Sequence, residues 1–225
     1  RHCSDDGYSC SFFLQGRELE EEKMMETFRR SIGAGMMVGL ASIVFVSVGG
    51  GIPGAVLFCS ALYFICLIGM DLFTGKIGWL GRDGSPLTYY LTVLAGNIVG
   101  SGLVCMIAVT ANPEIVEKAG TLIAGKMTTP YIAQAAKAIG CGILMYLAVK
   151  SFKTGEGIVR YFGIFFAVPM FILSGFEHSI ADAGYMFLAL NFAFIPRLLL
   201  IAFFNGVGSV LAAFFLESAW KKKED

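Results

Sequence analysis

Two ionisable residues stand side by side where ionisable residues are costly. Glu177 and His178 lie in Leu173-Ser174-Gly175-Phe176-Glu177-His178-Ser179, inside an apolar stretch that runs from about Ile158 to Leu190. A helix crosses a bilayer with about 20 apolar residues, so this stretch is longer than one straight span needs. An ionisable group at its middle costs free energy unless it faces protein or a water-filled path, which makes this a candidate site. The chemistry open to the pair is proton handling. An imidazole with an unperturbed pKa of about 6.5 changes charge near neutrality, and a neighbouring carboxylate tunes it or holds structure by a hydrogen bond. Hydrolysis by Ser179 with His178 is excluded, because adjacent residues on a helix do not face each other and no Gly-x-Ser-x-Gly elbow is present. Gly175 gives backbone freedom just before the pair, so the stretch is expected to divide there into two half-helices.

Composition places these residues in a membrane. The chain has 225 residues, of which 56% are hydrophobic and 15% charged, with 28 Gly and 20 Phe, and a mean hydropathy of +0.71; this is the composition of helices packed closely in lipid. The expectation is an all-α polytopic membrane protein. Lys and Arg total 17 and so do Asp and Glu, so no global field points to nucleic acid or to an acidic partner. Cys59, Cys66, Cys105 and Cys141 fall in apolar segments and Cys3 and Cys10 in the polar N-terminal region; without CxxC or Cys/His spacing, reduced thiols, no metal and no cofactor are expected. Residues 1–30 are polar and carry no signal-peptide pattern.

Six apolar segments follow from the pattern. Residues 1–11 read as a loose tail and Phe12 to Arg30 as a surface helix, so that 1–30 form an N-terminal region before a six-span domain over 31–220 and a charged C-terminus over 221–225. The first span runs from about Ser31 to Gly50, with Gly33, Gly35 and Gly39 as a small-residue face. After Gly49-Gly50-Gly51-Ile52-Pro53 a second span reaches Met70, where Asp71-Leu72-Phe73-Thr74-Gly75-Lys76 interrupts the apolar run before a short segment, Ile77 to Leu80. This is a second candidate broken helix. Spans from Leu87 to Ala111, Tyr131 to Val149 and Phe194 to Leu216 complete the set, and residues 112–130 form a connection with a short helix. Lys137 is placed to snorkel to the near surface.

Charge and repetition orient these spans. Lys23, Arg29, Arg30, Lys76, Arg82, Lys150, Lys153, Arg160 and Lys221 to Lys223 fall on one side; Lys118, Lys126 and marginally Arg197 fall on the other. Both termini are therefore expected in the cytoplasm of a multi-pass plasma-membrane protein. Asn-x-x-Gly-Ser occurs at Asn97–Ser101 and again at Asn205–Ser209, each one span after an interrupted helix. Three spans per half means that the halves enter from opposite sides, the pattern of two inverted three-helix repeats. Folds of this kind place the solute path where discontinuous helices meet, and half-helix N-termini favour an anion there.

Asp71-Leu72-Phe73-Thr74-Gly75, Gly96-Asn97-x-x-Gly100 and Gly175-Phe176-Glu177-His178-Ser179-Ile180-Ala181, in this order on six spans, resemble the formate/nitrite transporter family over residues 20–216. The resemblance implies an aquaporin-like protomer, a homopentamer in membrane lipid, and passage of small monovalent weak-acid anions such as formate, nitrite, hydrosulfide or lactate. It sets Thr74 and His178 opposite each other at the pore centre and puts Phe58, Leu62, Leu72, Phe73 and Phe171 at the apolar constrictions. It makes Lys126 the lysine that lends positive charge to the central chamber, with Glu177, Asn97 and Asn205 nearby. Where many members have an asparagine after a cysteine, this chain has Cys141-Gly142, which removes a polar side chain from near the histidine and leaves the solute open. A bare anion in a dry apolar ring costs roughly tens of kcal/mol, so the expected route is protonation and passage as the neutral acid. Two versions stay open: His178 passes the proton, or it donates a hydrogen bond while protons arrive through water. The rival reading is an aquaporin-like channel for neutral solutes. It calls for paired Asn-Pro-Ala loops, and the only Asn-Pro here is Asn112-Pro113, in a connection.

Overall fold

Helix formation begins earlier than the apolar pattern predicts. The structure, a computed structural model, describes residues 7–221, with side chains over 18–217. Residues 1–6, which include Cys3 and part of the expected tail, and 222–225 of the charged C-terminus lie outside the described residues, as does the Cys10 side chain. Helix α1 runs unbroken from Gly7 to Ser47, so the surface helix expected over 12–30 and the span expected from Ser31 are one element. Nothing in Glu18 to Arg30 breaks a helix: there is no Pro or Gly, and Glu, Leu, Lys and Met propagate it well.

The remaining helices are α2 (Gly51–Ile68), α3 (Phe73–Lys76) with a 3-10 turn over Ile77–Trp79, α4 (Leu87–Ala111), α5 (Ile115–Thr128), α6 (Tyr131–Thr154), α7 (Val159–Leu173), α8 (Ser179–Leu188), and α9 (Ile195–Lys221) after a 3-10 turn over Phe192–Phe194. Among the described residues, five stretches are long and apolar enough to cross a membrane: Glu18–Ser47, Gly51–Ile68, Leu87–Ala111, Tyr131–Thr154 and Phe192–Glu217. Helix α7 is apolar but has only 15 residues. This is an all-helical, multi-pass membrane protein. Cys59, Cys66, Cys105 and Cys141 carry no disulfide.

Glycines bring the long helices together in two matching pairs. Helix α1 lies along α4 and α6 along α9. A Cβ on Gly35 would sit 2.1 Å from the Asn97 carbonyl oxygen, and one on Gly100 would sit 2.0 Å from that of Ile32. In the second pair, a Cβ on Gly142 would sit 2.1 Å from the Asn205 oxygen and one on Gly208 2.1 Å from that of Ile139. Backbones this close exclude every other residue. The reading of Gly142 as a missing polar side chain near the histidine is corrected by this contact. Position 142 faces α9, with no room for an asparagine or even an alanine.

Between these pairs the chain leaves helical form at two places inside apolar sequence. Helix α2 ends at Gly69, whose φ of 79° is left-handed, and Leu72 is extended before α3 begins. Helix α7 ends at Leu173, Gly175 has φ 65°, and His178 is extended before α8. Backbone groups freed at such points need partners when water is absent. Two buried asparagines supply them with the same set of bonds. Asn97 Nδ2 donates to Ser31 O and Asp71 O, both at 2.8 Å, while Oδ1 accepts from Phe73 N–H at 2.7 Å. Asn205 Nδ2 donates to Ala138 O and Glu177 O, both at 2.8 Å, while Oδ1 accepts from Ser179 N–H at 2.9 Å. Each amide thus ties a linker, the first N–H of a half-helix and a neighbouring long helix into one unit.

Substituting Gly142 by Ala is expected to lower detergent-solubilised thermal stability by about 1–3 kcal/mol, the cost of overpacking. Gly120→Ala on α5, where a Cβ meets nothing within 4 Å, should raise it by about 0.5–1 kcal/mol. Equal melting shifts for the two would contradict the close-packing account. Asn205→Ala strands three buried groups at about 1–3 kcal/mol each, and Asn205→Asp, which sets a carboxylate oxygen against the Ala138 and Glu177 carbonyls, should not recover the native melting temperature.

Candidate functional site

The two linkers aim their half-helices at one another. Thr74, on the first turn of α3, and His178, the residue before α8, are both buried, and Thr74 Oγ1 lies 2.9 Å from His178 Nε2. His178 Nδ1 accepts the Ala181 N–H at 3.2 Å, so the ring caps α8. That bond fixes the tautomer: the neutral ring carries its proton on Nε2 and donates it to Thr74. Protonating Nδ1 as well would set its N–H against that of Ala181. The Thr74 hydroxyl hydrogen stays available, and the pair presents hydrogen-bond donors at the meeting point of the half-helices.

Apolar walls close around this contact. The Phe171 ring stacks on the His178 ring with centroids 5.4 Å apart, and Phe58 meets Phe171 edge-on at 6.4 Å. Phe58, Leu62, Leu72 and Phe171 line, with His178, a cavity of about 10 Å³. That is close to the space of a single water molecule, too little for an ion that keeps its hydration shell. Val38, Ala61, Met145 and Val168 complete the lining; sequence reasoning missed them, because residue type does not separate a pore wall from ordinary core. Phe73 is not part of it. Its ring packs with Ile77, Tyr90, Val93 and Ala202 on the far side of α3, because successive residues point in different directions and the neighbouring Leu72 takes the cavity side. The expected constriction role of Phe73 is therefore corrected.

Charge is arranged unequally on the two linkers. Asp71 pairs with Lys76 Nζ at 2.9 Å and Arg30 Nε at 3.3 Å and accepts from the Tyr89 hydroxyl at 3.3 Å. Beyond Leu62 and Leu72 a vestibule of about 180 Å³ is lined by Arg30, Lys76 and Lys153, with Lys153 Nζ 3.9 Å from the centre of the Trp79 ring. At the other linker Lys126 Nζ is ion-paired with Glu177 and lies 2.8 Å from Asp182 Oδ1. Burial works against the lysine charge, but Asp182 and Glu177 outweigh it and raise Lys126 above the usual lysine range. The lysine expected to lend positive charge to the central chamber is ion-paired with two carboxylates. Asp182 was missed in sequence although the rule that singles out Glu177 and His178, an ionisable group in an apolar stretch, applies to it equally. Lys137 is half-buried, and its carbonyl accepts the Glu177 N–H at 3.4 Å. Among the described residues no three His, Cys, Asp or Glu side chains converge as a metal site would require.

Comparison with known proteins gives a consistent result. The chain is 32% identical to a formate-nitrite transporter of Plasmodium malariae, an alignment covering 59% of this chain and 49% of the relative. It is 26% identical to the formate channel FocA of Escherichia coli strain K12, covering 70% and 64% of the two chains, and 27% identical to the nitrite transporter NirC of the same strain, covering 66% and 63%. The chain thus spans about half to under two thirds of the length of these relatives. Among solved structures, one described as an FNT family ion channel superposes with a TM-score of 0.76 at 24% identity, covering 91% of this chain and 92% of that one. A pentameric formate channel with formate bound gives 0.73 at 21% identity, covering 91% and 99%. These likenesses establish a shared fold. A sequence model described as formate/nitrite transporter matches residues 12–196, and the chain belongs to the formate/nitrite transporter family.

Proposed function

We propose that this chain is a membrane channel for small monovalent weak-acid anions such as formate, nitrite or hydrosulfide, which cross its constriction as the neutral acid. The observation that carries the reading is His178, held 2.9 Å from Thr74 and lining a cavity otherwise walled by apolar side chains, Phe58, Leu62, Leu72 and Phe171 among them. One polar side chain, His178, faces a space that excludes a hydrated ion. Relatives named a formate channel and a nitrite transporter support the solute class.

Magnitudes favour the neutral route. Bringing a bare anion into the apolar ring costs roughly tens of kcal/mol. Protonating a carboxylate whose pKa is about 4 at pH 7 costs only about 4 kcal/mol. Arg30, Lys76 and Lys153, against Asp71 and the exposed Glu26 that also pairs with Arg30, draw the anion into the vestibule, and Leu62 and Leu72 stand between it and the histidine. In this reading His178 works as a neutral ring, donating from Nε2 to the solute or through Thr74, while the transferred proton arrives by water. Capping of α8 through Nδ1 supports that version over a ring that becomes doubly protonated.

The membrane arrangement follows from the same parts. Helices α2 and α3 form one discontinuous crossing and α7 and α8 another, giving six crossings in two inverted three-helix repeats. The equivalent bonds of Asn97 and Asn205 support that symmetry. Both termini lie on the cytoplasmic side of the plasma membrane, as the excess of Lys and Arg there indicates. The assembly is a homopentamer, supported by the pentameric neighbour.

Proteoliposomes holding the protein should pass formate, nitrite or hydrosulfide faster as the entry side is acidified. Glycerol passing while the anions do not would favour a neutral-solute channel instead. His178→Asn retains an acceptor for the Ala181 N–H and removes the Nε2 donor, so flux should fall roughly 10- to 100-fold with little change in melting temperature. Native flux and pH profile in that variant would refute the role of His178.

A further inference from the structure

The second linker holds one more carboxylate than it has cations. Among the described residues, Lys126 is the one cation within ion-pair distance of Glu177 or Asp182. Glu177 and Asp182 are 2% and 1% exposed, and Asp182 Oδ2 is buried without any hydrogen-bond partner. The first linker has the opposite balance, Arg30 and Lys76 around Asp71. Other groups facing Asp182 supply no second cation: Cys141 of α6, Tyr185 of α8 itself, and Cys105 of α4 beside Tyr185. Helix α1 offers Ser42 and α4 also Ser101, both against Gly184, and α9 offers Asn205, whose amide is already committed.

The N-terminus of α8 does not fill the gap. Its N–H groups favour a nearby negative charge, but those of Ser179, Ala181 and Asp182 go to Asn205 Oδ1, His178 Nδ1 and His178 O. Two carboxylates that share one ammonium repel each other, and the pair is relieved by holding one proton between them. Glu177 has the closer contact with Lys126, while Asp182 presents the unpartnered oxygen.

We propose that Asp182 is a proton-binding residue that sets the net charge of the Lys126, Glu177 and Asp182 cluster next to His178, admitting anions when protonated and repelling them when ionised. This rests on the anion-channel reading for its consequence, but not for the proton site itself. With Asp182 protonated, Lys126, Glu177 and Asp182 sum to zero. When the Oδ2–H bond breaks, the electron pair stays on the carboxylate and the proton goes to water or to the passing anion, which becomes the neutral acid. The three groups then carry one negative charge, and further anions are repelled until Asp182 regains a proton. Raising the pH therefore closes the path to anions, beyond the loss of neutral acid in solution.

Two measurements on the full-chain protein test this. Infrared difference spectra between acidic and alkaline buffer should show the carbonyl stretch of a buried carboxylic acid, and Asp182→Asn should remove it. In proteoliposomes, formate flux divided by the concentration of neutral formic acid should fall about tenfold per pH unit above the Asp182 midpoint in the native protein and stay level in Asp182→Asn. A native pH profile in Asp182→Asn overturns the proposal. So does a carboxylic acid band that survives in Asp182→Asn but vanishes in Glu177→Gln. If Asp182→Asn does not fold, the absence of any such band from the native protein across the pH range is sufficient to overturn it. Absence of anion flux from the native protein would defeat the channel reading and leave the infrared result to decide the proton site.

Discussion

Unwound backbone inside an apolar environment has to be hydrogen-bonded, and in this protein two asparagines meet that requirement. Asn97 and Asn205 each hold a linker carbonyl, the first amide of a half-helix and a carbonyl of a packed long helix. Without those bonds the chain at residues 69–72 and 174–178 would have little reason to leave helical form, and Thr74 and His178 would not end on facing half-helix termini. The asparagines reach across because glycines bring α1 onto α4 and α6 onto α9 at backbone contact. Fold and site therefore rest on one constraint met twice.

The site that results separates two tasks. In the proposed function, attraction of an anion belongs to the vestibule, where Arg30, Lys76 and Lys153 outnumber Asp71 and Glu26. In that reading exclusion of charge belongs to the Phe58, Leu62, Leu72 and Phe171 walls, where the remaining space is about 10 Å³. The histidine lies within those walls, its ring fixed by its own helix through the Ala181 N–H on Nδ1. Lys126 then becomes the partner that lets two carboxylates lie buried close to that histidine.

Much of this was legible in the sequence because the cost of misplaced groups in lipid is large. Glycine and ionisable residues inside an apolar stretch identify both linkers, and Asn-x-x-Gly-Ser marks the repeat, but that its asparagines hydrogen-bond the linkers is seen only in the contacts. The rest depends on direction, which sequence does not carry. Leu72 and Phe73 are equally apolar, yet only Leu72 reaches the cavity. Gly142 looks like a lost polar side chain until its contact with Asn205 is seen. Lys126 reads as positive charge lent to the chamber until its carboxylate partners are placed, since Asp182 lies 56 positions further along the chain. The continuity of α1 through Arg30 was hidden by a change of polarity that does not interrupt a helix.

The central claim is that solute crosses the constriction without net charge. It is tested most directly by measuring formate flux in proteoliposomes at fixed pH on both sides while a potassium diffusion potential is varied. Flux that is insensitive to the potential and moves one proton with each formate is the predicted result. A current carried by formate that rises with the driving potential would contradict it.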